Sequence, residues 1–344
     1  MPQGYKVAIV GATGAVGREL LQLMETHAFP VKLLRLIASE RSIGKTLSFQ
    51  GELFPIHPLK ALYAEEWDFV FLCAGSTLSR DIGFFAYAKH IIDCSSAFRL
   101  DASIPLVIPE INGDLLCSLP PYIASPNCTT TLLLMALYPI HLLYPIKRAV
   151  VSTYQAASGG GFTLIERLKK ETQEELEGVS LPPHSHPYGF NLFLHSSSLN
   201  PLTLYNEEEN KVILESQKIL QEKAFPLSIT CVRVPVMRAH AESVNLEFTQ
   251  EVDIDKIVEA IQKFPGLCLQ QNIASNQFAT PKTASFQEKV FVGRIRKDLS
   301  LPCAIDLWIV GDQLLKGSAL NAIQIAEKLV LVSQLQEAAL SQGG

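Results

Sequence analysis

The sequence predicts an α/β protein in two parts: an N-terminal Rossmann-like domain and an α+β second domain. Three observations carry this. A short β-branched run, residues 5–10, opens onto the glycine turn Gly11-Ala12-Thr13-Gly14-Ala15-Val16-Gly17, after which Val16, Leu20, Leu21, Leu23 and Met24 recur at helical spacing. Short apolar strands then alternate with helical stretches, the pattern of a doubly wound parallel sheet. Beyond Cys128 the strand candidates lengthen and the alternation is lost.

In order, strand, tight turn and helix are followed by a second strand over 32–38 (KLLRLIA) and a third after Asp68 (DFVFLCAG). A helix is expected near Leu78–Lys89, a strand at His90–Asp93, and one more sheet edge at Ile123–Ala124. Thr129–Thr131 and the leucine run that follows predict a helix over 128–143. Longer strands are expected over 148–155, 227–236, 243–249 and 303–310. Between Leu181 and Pro201 lies a loop-rich stretch with four prolines and three histidines. A last helix, about 314–335, is expected to pack back on the first domain. The domains are therefore read as 1–127 with that helix, and 128–313.

Composition narrows the class. Of 344 residues 48% are apolar, enough for two cores, and 29 basic against 34 acidic side chains leave a net charge of −5. That balance gives no footprint for nucleic acid or an acidic membrane surface. The most apolar stretch, Thr131–Pro145, is too short for a membrane span and is broken by Pro139 and His141. The strand pattern begins at Tyr5, so no signal peptide is expected. Seven cysteines (Cys73, Cys94, Cys117, Cys128, Cys231, Cys268, Cys303) form no metal-ligand spacing, and an odd number without an export signal points to reduced thiols in a cytoplasmic setting. No metal is expected.

The Gly11-x-x-Gly14-x-x-Gly17 turn is a variant of the dinucleotide fingerprint. Its glycines permit a tight turn and bring a pyrophosphate to a helix N-terminus, where free N–H groups favour anions. A plain glycine-rich turn opening a helix is the bland alternative, and placement directly after an N-terminal strand argues against it. The second strand ends in Ser39-Glu40-Arg41-Ser42. Glu40 could hold the ribose hydroxyls of NAD, whereas Arg41 with Ser39 and Ser42 suits a 2′-phosphate, and this favours NADP.

Cys128 follows Ser125-Pro126-Asn127 and opens the expected helix, a position that favours a thiolate. On composition alone an inert buried cysteine is the commoner reading. The surrounding residues decide the matter. GATGAVG (11–17), ASERSIGK (38–45), SSAFR (95–99), PLVIPEIN (105–112), SPNCTT (125–130), TYQAASGGG (153–161), EEENK (207–211), TCVRVPVMRAHAESV (230–244), VFVGRIRKD (290–298) and GDQLLKGSALNAIQIAE (311–327) resemble the aspartate-β-semialdehyde dehydrogenase family nearly end to end.

The resemblance implies reversible, NADPH-dependent reductive dephosphorylation of L-aspartyl-4-phosphate to L-aspartate 4-semialdehyde, serving lysine, methionine and threonine biosynthesis. By motif it implies Cys128 as nucleophile, His240 as acid/base, and Gln155 as the amide that orients the acyl-enzyme. Arg233 would bind the substrate carboxylate, Glu208 the ammonium, and Arg99 with Lys211 the phosphate. Gly11, Thr13, Gly14, Ala15, Val16, Gly17, Ser39, Arg41, Ser42, Ser158, Gly159 and Gln313 would face the cofactor. A homodimer is implied. Read from the residues alone, Arg233 lies in an apolar strand where an unpaired guanidinium is costly, and its bland alternative is an ion pair with a nearby Glu. Glu207–Glu209 is a run, which leaves the register of Glu208 open by one.

Cys94, Asn210 and the segment 187–197 (PYGFNLFLHSS) depart from the family pattern. The nearest enzyme alternative, N-acetyl-glutamyl-phosphate reductase, has a nucleophile motif resembling NPGCYPT where this chain reads SPNCTT. A non-catalytic nucleotide-binding paralogue is the other, and it would be expected to lose Cys128 or His240.

Overall fold

Buried Val7–Val10 make β1 (Tyr5–Val10) the central strand of a seven-stranded sheet. The computed structural model describes residues 4–80, 87–179 and 186–342, which fall into two units, 1–127 with 318–344 and 128–317. In the first unit β1 is followed by α1 (Ala15–Thr26), β2 (Val31–Ile37), β3 (Thr46–Phe49), β4 (Glu52–His57), β5 (Trp67–Leu72), α2 (Ser76–Ser79), β6 (Ala88–Asp93), α3 (Pro109–Asn112) and β7 (Tyr122–Ala124). The sheet order is β3-β4-β2-β1-β5-β6-β7, parallel throughout except for the β3–β4 hairpin. Strand order reverses between β1 and β5, and at such a switch point the carboxyl ends of the strands open a ligand crevice.

The second unit begins with α4 (Cys128–Leu143), then β8 (Ile146–Gln155), α5 (Gly161–Leu176), β9 (Phe193–Leu194), α6 (Glu207–Leu220), β10 (Leu227–Arg233) and β11 (His240–Phe248). It continues with α7 (Ile254–Lys263), β12 (Leu267–Leu269), β13 (Gln271–Asn272), β14 (Gln277–Phe278), α8 (Pro281–Ala284), β15 (Val290–Lys297) and β16 (Ala304–Gly311). Its main sheet runs β12-β15-β16-β11-β8-β10-β9, with β8 parallel to β10 and antiparallel to β11. Residues 129–137 of α4 are all buried, so this helix is the core of its unit and not an amphipathic cover. After a π-helical turn, Leu315–Ala319, the chain enters α9 (Leu320–Gln342), which packs on α1 and α3 within the first unit. Among the described residues no helix is long and apolar enough to cross a membrane.

Several expectations are corrected. Of the segment expected as a helix over 78–89, Leu78 and Ser79 fall in α2, residues 88–89 already belong to β6, and 81–86 lie outside the described residues. The strand expected to reach Val236 ends at Arg233, because Val234-Pro235 turns back and Val236 N–H bonds the Val234 carbonyl. The last helix starts at Leu320, later than expected, and runs on to Gln342. The β3–β4 hairpin was not anticipated. Part of the 181–201 stretch (181–185) lies outside the described residues, and the rest contains β9.

On β11, Glu242 shares the face of His240 and is fully buried. Neither of its carboxyl oxygens has a hydrogen-bond partner among the described residues. Burial alone pushes this carboxyl well above the usual range. The folded state therefore holds a proton that the unfolded chain releases near pH 4, and stability falls as pH rises from there towards the folded value. The limiting slope is about 1.4 kcal/mol per pH unit. Glu242→Gln removes this titration. It should raise the melting temperature relative to wild type by an increment that grows between pH 5 and pH 8, and a pH-independent increment would count against a titrating buried carboxyl.

Candidate active site

Four strand ends in the second unit bring candidate residues together. Gln155 closes β8 and Arg233 closes β10, and the two are register partners on adjacent parallel strands. His240 opens the antiparallel β11 opposite Gly311, the last residue of β16, so Gln313 follows directly. Side chains of alternate residues on these strands face α4. Gln155 Nε2 donates to Thr129 Oγ1 at 2.8 Å, which ties the strand-end row to the first turn of α4 and hence to Cys128. The same nitrogen lies 3.3 Å from Glu208 Oε1, while Gln155 Oε1 is buried with no partner among the described residues.

Arg233 is only 7% exposed, yet no carboxylate pairs with it among the described residues. Its Nη1 donates to the Ala156 carbonyl (2.9 Å) and its Nη2 to His195 Nε2 (2.8 Å). The ion pair that the sequence left open is not formed, and the charge stays available to a ligand. Gly159 sits against this group. A Cβ there would come 2.9 Å from Arg233 Nη1 and 3.0 Å from His240 Nε2, so both side chains converge on one spot.

His240 is buried, and its Nδ1 accepts the Ala156 N–H at 3.0 Å. The neutral ring must then carry its proton on Nε2, the edge turned to Gly159. Burial, then the Arg233 charge, push this imidazole well below its ordinary range, so it is neutral near pH 7.

The start of α6 settles which glutamate faces the site. Asn206 and Glu209 form a capping box, and Glu209 Oε1 also accepts the Cys231 N–H. Glu207 is exposed and pairs with Lys211 (2.8 Å). Glu208, buried, is the one that meets Gln155. Lys211 is thus held on the same helix, one turn on, by a partner that a phosphate could replace.

Gln313 is presented by Asp312, a fully buried carboxylate that accepts from Arg238 Nε (2.6 Å), Phe286 N–H (2.7 Å) and Leu314 N–H (2.9 Å). Gln313 Oε1 in turn accepts the Ala239 N–H at 2.9 Å, and its amide nitrogen donates to Ser158 Oγ. Gln313, Ser158 and Gly159 therefore form one patch. The π-helical turn that follows packs tightly on Cys128: a Cβ on Gly317 would come 2.8 Å from Cys128 Cβ.

In the first unit the glycine turn has the close contacts of a nucleotide loop. Gly11 has φ +87°, and a Cβ there would lie 2.6 Å from the Cys73 carbonyl oxygen, so only glycine fits. A Cβ on Gly17 would lie 2.4 Å from the Gly11 carbonyl oxygen, which fixes helix against turn. Gly14 caps α1 without a side-chain acceptor, and Ala15 and Val16 form its first turn, leaving their N–H groups for an anion. Thr13 Oγ1 lies 3.2 Å from Ser42 Oγ, which brings the Ser39–Ser42 turn onto the glycine loop, with Ser39 and Arg41 exposed beside it. Arg99 Nε donates to the Ser125 carbonyl (2.9 Å) and its Nη2 to the Cys94 carbonyl (2.8 Å). Asp93 shapes that turn by accepting from Ser95 N–H (2.7 Å), Ser79 Oγ (3.1 Å) and Tyr122 Oη (2.7 Å).

Comparisons with known proteins agree with these two halves. Residues 6–119 match the semialdehyde dehydrogenase NAD binding domain family, and residues 137–316 match the semialdehyde dehydrogenase dimerisation domain family. The aspartate-semialdehyde dehydrogenase of a Synechocystis strain is 46% identical over 96% of this chain and 98% of its own length. The chain belongs to the aspartate-semialdehyde dehydrogenase family. The Aquifex aeolicus aspartate-semialdehyde dehydrogenase is 40% identical over 95% of this chain and 98% of its own. The crystal structure of aspartate semialdehyde dehydrogenase II from Vibrio cholerae superposes with a TM-score of 0.89 at 36% identity, covering 95% of this chain and 99% of that one. Aspartate-semialdehyde dehydrogenases are oxidoreductases of amino-acid biosynthesis, so the expectations of an enzyme, a Rossmann-type dinucleotide domain and an α/β fold are met.

Sequence reasoning missed His195, one of three histidines in a loop-rich stretch with no periodic pattern. It also passed over Thr129 and Asp312. In this family's site, Gly159→Ala would drive a methyl group into Arg233 and His240. The expected outcome is a fall in kcat/KM of about tenfold to a hundredfold in a protein with an unchanged circular dichroism spectrum, since displacements of about 1 Å suffice for that. Activity within twofold of wild type would show that the two side chains do not share the spot above Gly159.

Proposed function

We propose that the chain interconverts L-aspartyl-4-phosphate and L-aspartate 4-semialdehyde with NADP(H) and inorganic phosphate, through a thioester on Cys128. The observation that carries this is Arg233, a buried guanidinium with no carboxylate partner among the described residues, set beside His240 and Gln155. A buried cation without a counter-ion suits a small anionic substrate. Arg233 takes the α-carboxylate bidentately and Glu208 takes the ammonium, which together read a zwitterionic amino acid.

Attack of Cys128 Sγ on the acyl phosphate forms the S–C bond and breaks the C–O bond to phosphate, which departs. Splitting acyl reduction into two steps is the gain of covalent catalysis. The Nε2–H of His240 donates to the oxygen that gains charge in each tetrahedral species, and because Nδ1 is engaged, proton transfer runs through Nε2 alone. Gln155 keeps its Oε1 for a substrate N–H and orients the acyl group without adding charge. Arg99 and Lys211 bind the phosphate that leaves or enters. The cofactor supplies hydride when bound. The glycine loop and α1 hold its pyrophosphate, Ser39, Arg41 and Ser42 its 2′-phosphate, and the Ser158–Gly159–Gln313 patch its nicotinamide side. A Candida albicans relative was solved with NADP, and the Vibrio cholerae enzyme with ASA. The second unit's match to a dimerisation domain supports a homodimer.

Purified protein should reduce NADP when given aspartate semialdehyde and phosphate, with little reduction if phosphate is omitted. Cys128→Ala should lose at least about a thousandfold in turnover while binding NADPH as wild type does by fluorescence. Turnover in that variant near the wild-type rate would sink the thioester route, and NADPH binding without turnover in wild type would favour a non-catalytic relative. Arg41→Ala should raise KM for NADP about tenfold or more and leave KM for NAD unchanged. An unaltered preference would remove Arg41 from the 2′-phosphate site.

A further inference from the structure

The segment 187–197, which departs from the family pattern, delivers one side chain to the substrate cation. β9 pairs antiparallel with the end of β10, with Phe193 opposite Arg233 and Leu194 opposite Val232. The next residue, His195, continues this edge by donating its N–H to the Cys231 carbonyl at 2.9 Å. Its ring then reaches Arg233, with Nε2 2.8 Å from Nη2. A guanidinium has only donors, so Nε2 is the acceptor and the ring's single proton lies on Nδ1. Nδ1 faces Ser197 Oγ at 3.0 Å, nearer than the Ser197 N–H at 3.3 Å, so with Nε2 taken by Arg233 its proton goes to the hydroxyl, which accepts the Glu208 N–H at 3.2 Å. One chain of hydrogen bonds thus runs from the carboxylate-binding arginine to the backbone of the ammonium-binding glutamate.

We propose that His195 is a positioning residue that fixes the Arg233 guanidinium through a neutral acceptor, leaving its full positive charge for the substrate α-carboxylate. This rests on the substrate assignment above. A carboxylate in place of His195 would hold Arg233 as firmly but would neutralise it. An apolar side chain would leave the charge but lose the direction. The imidazole supplies an acceptor without a charge, provided it stays unprotonated. Burial and the neighbouring Arg233 push His195 down to about 4, so it is neutral across the working range.

Steady-state kinetics in the direction of semialdehyde oxidation test this. His195→Leu should raise KM for aspartate semialdehyde about tenfold to a hundredfold, with kcat and the KM values for phosphate and NADP within about threefold. His195→Gln, whose amide oxygen reaches the same point, should recover most of the loss. His195→Glu should be no better than His195→Leu, although it makes the stronger contact with Arg233. In an Arg233→Leu background, His195→Leu should add less than about twofold. If all three single variants lose kcat and melting temperature alike, His195 is structural and the proposal fails. An unchanged semialdehyde KM in His195→Leu, or a His195→Glu variant as good as wild type, overturns it equally. Absence of semialdehyde turnover in the wild type would instead mark failure of the substrate assignment.

Discussion

A positive charge buried at the end of β10 is the constraint around which the second unit is arranged. Desolvating a guanidinium costs several kcal/mol unless hydrogen bonds and counter-charge repay it, and among the described residues Arg233 has the first without the second. Its surroundings keep it that way. The groups in contact with it are a backbone carbonyl and a neutral imidazole, and the neighbouring strand end offers an amide, Gln155. His240, which would add a second positive charge if protonated, is held neutral by burial and by Arg233 itself. An anion would restore the balance, and under the function proposed above that anion is the substrate carboxylate.

The topology explains why these groups meet. Parallel β8 and β10 end side by side, antiparallel β11 begins where β8 ends, and β16 ends opposite the start of β11. Four chain segments therefore turn at one edge, each contributing the residue at or just past its terminus. Two local devices then set the angles. The Asn206–Glu209 capping box rotates α6 so that Glu208 faces Gln155, and the Asp312 carboxylate gathers donors from Arg238, Phe286, Leu314 and Leu315 to aim Gln313 at Ser158.

How far the sequence made this legible follows from the range of the forces involved. The glycine turn, α1 and α4 rest on local chemistry, on glycines that no Cβ could replace and on an apolar run of helical length, and they are readable as such. The register of the Glu207–Glu209 run was also encoded locally, since Asn206-x-x-Glu209 is a capping box in the sequence itself. The β3–β4 hairpin carries a two-residue Gln50-Gly51 turn, but Pro55 disguises β4 as a non-strand, and prolines are tolerated there only near a sheet edge. His195 was not readable by any such rule. A two-residue strand has no period, and what gives His195 meaning is pairing with β10, 38 positions away.

The seven cysteines show the same dependence on placement. Cys231 lies on β10 behind the site, and burial together with the Glu208 and Glu209 charges pushes its thiol far up, so it stays protonated and unreactive. Cys73 is pushed up as well, by its contact with Cys94 and by burial. Both sit where neighbouring groups disfavour a thiolate. Cys128 instead occupies the first position of a sixteen-residue helix, where the aligned peptide dipoles favour negative charge. Its back is closed by Gly317, a contact that no larger residue would allow, and the adjoining Thr129 is tied to Gln155. The same side chain is thus inert on a strand among carboxylates and a candidate nucleophile at a helix start.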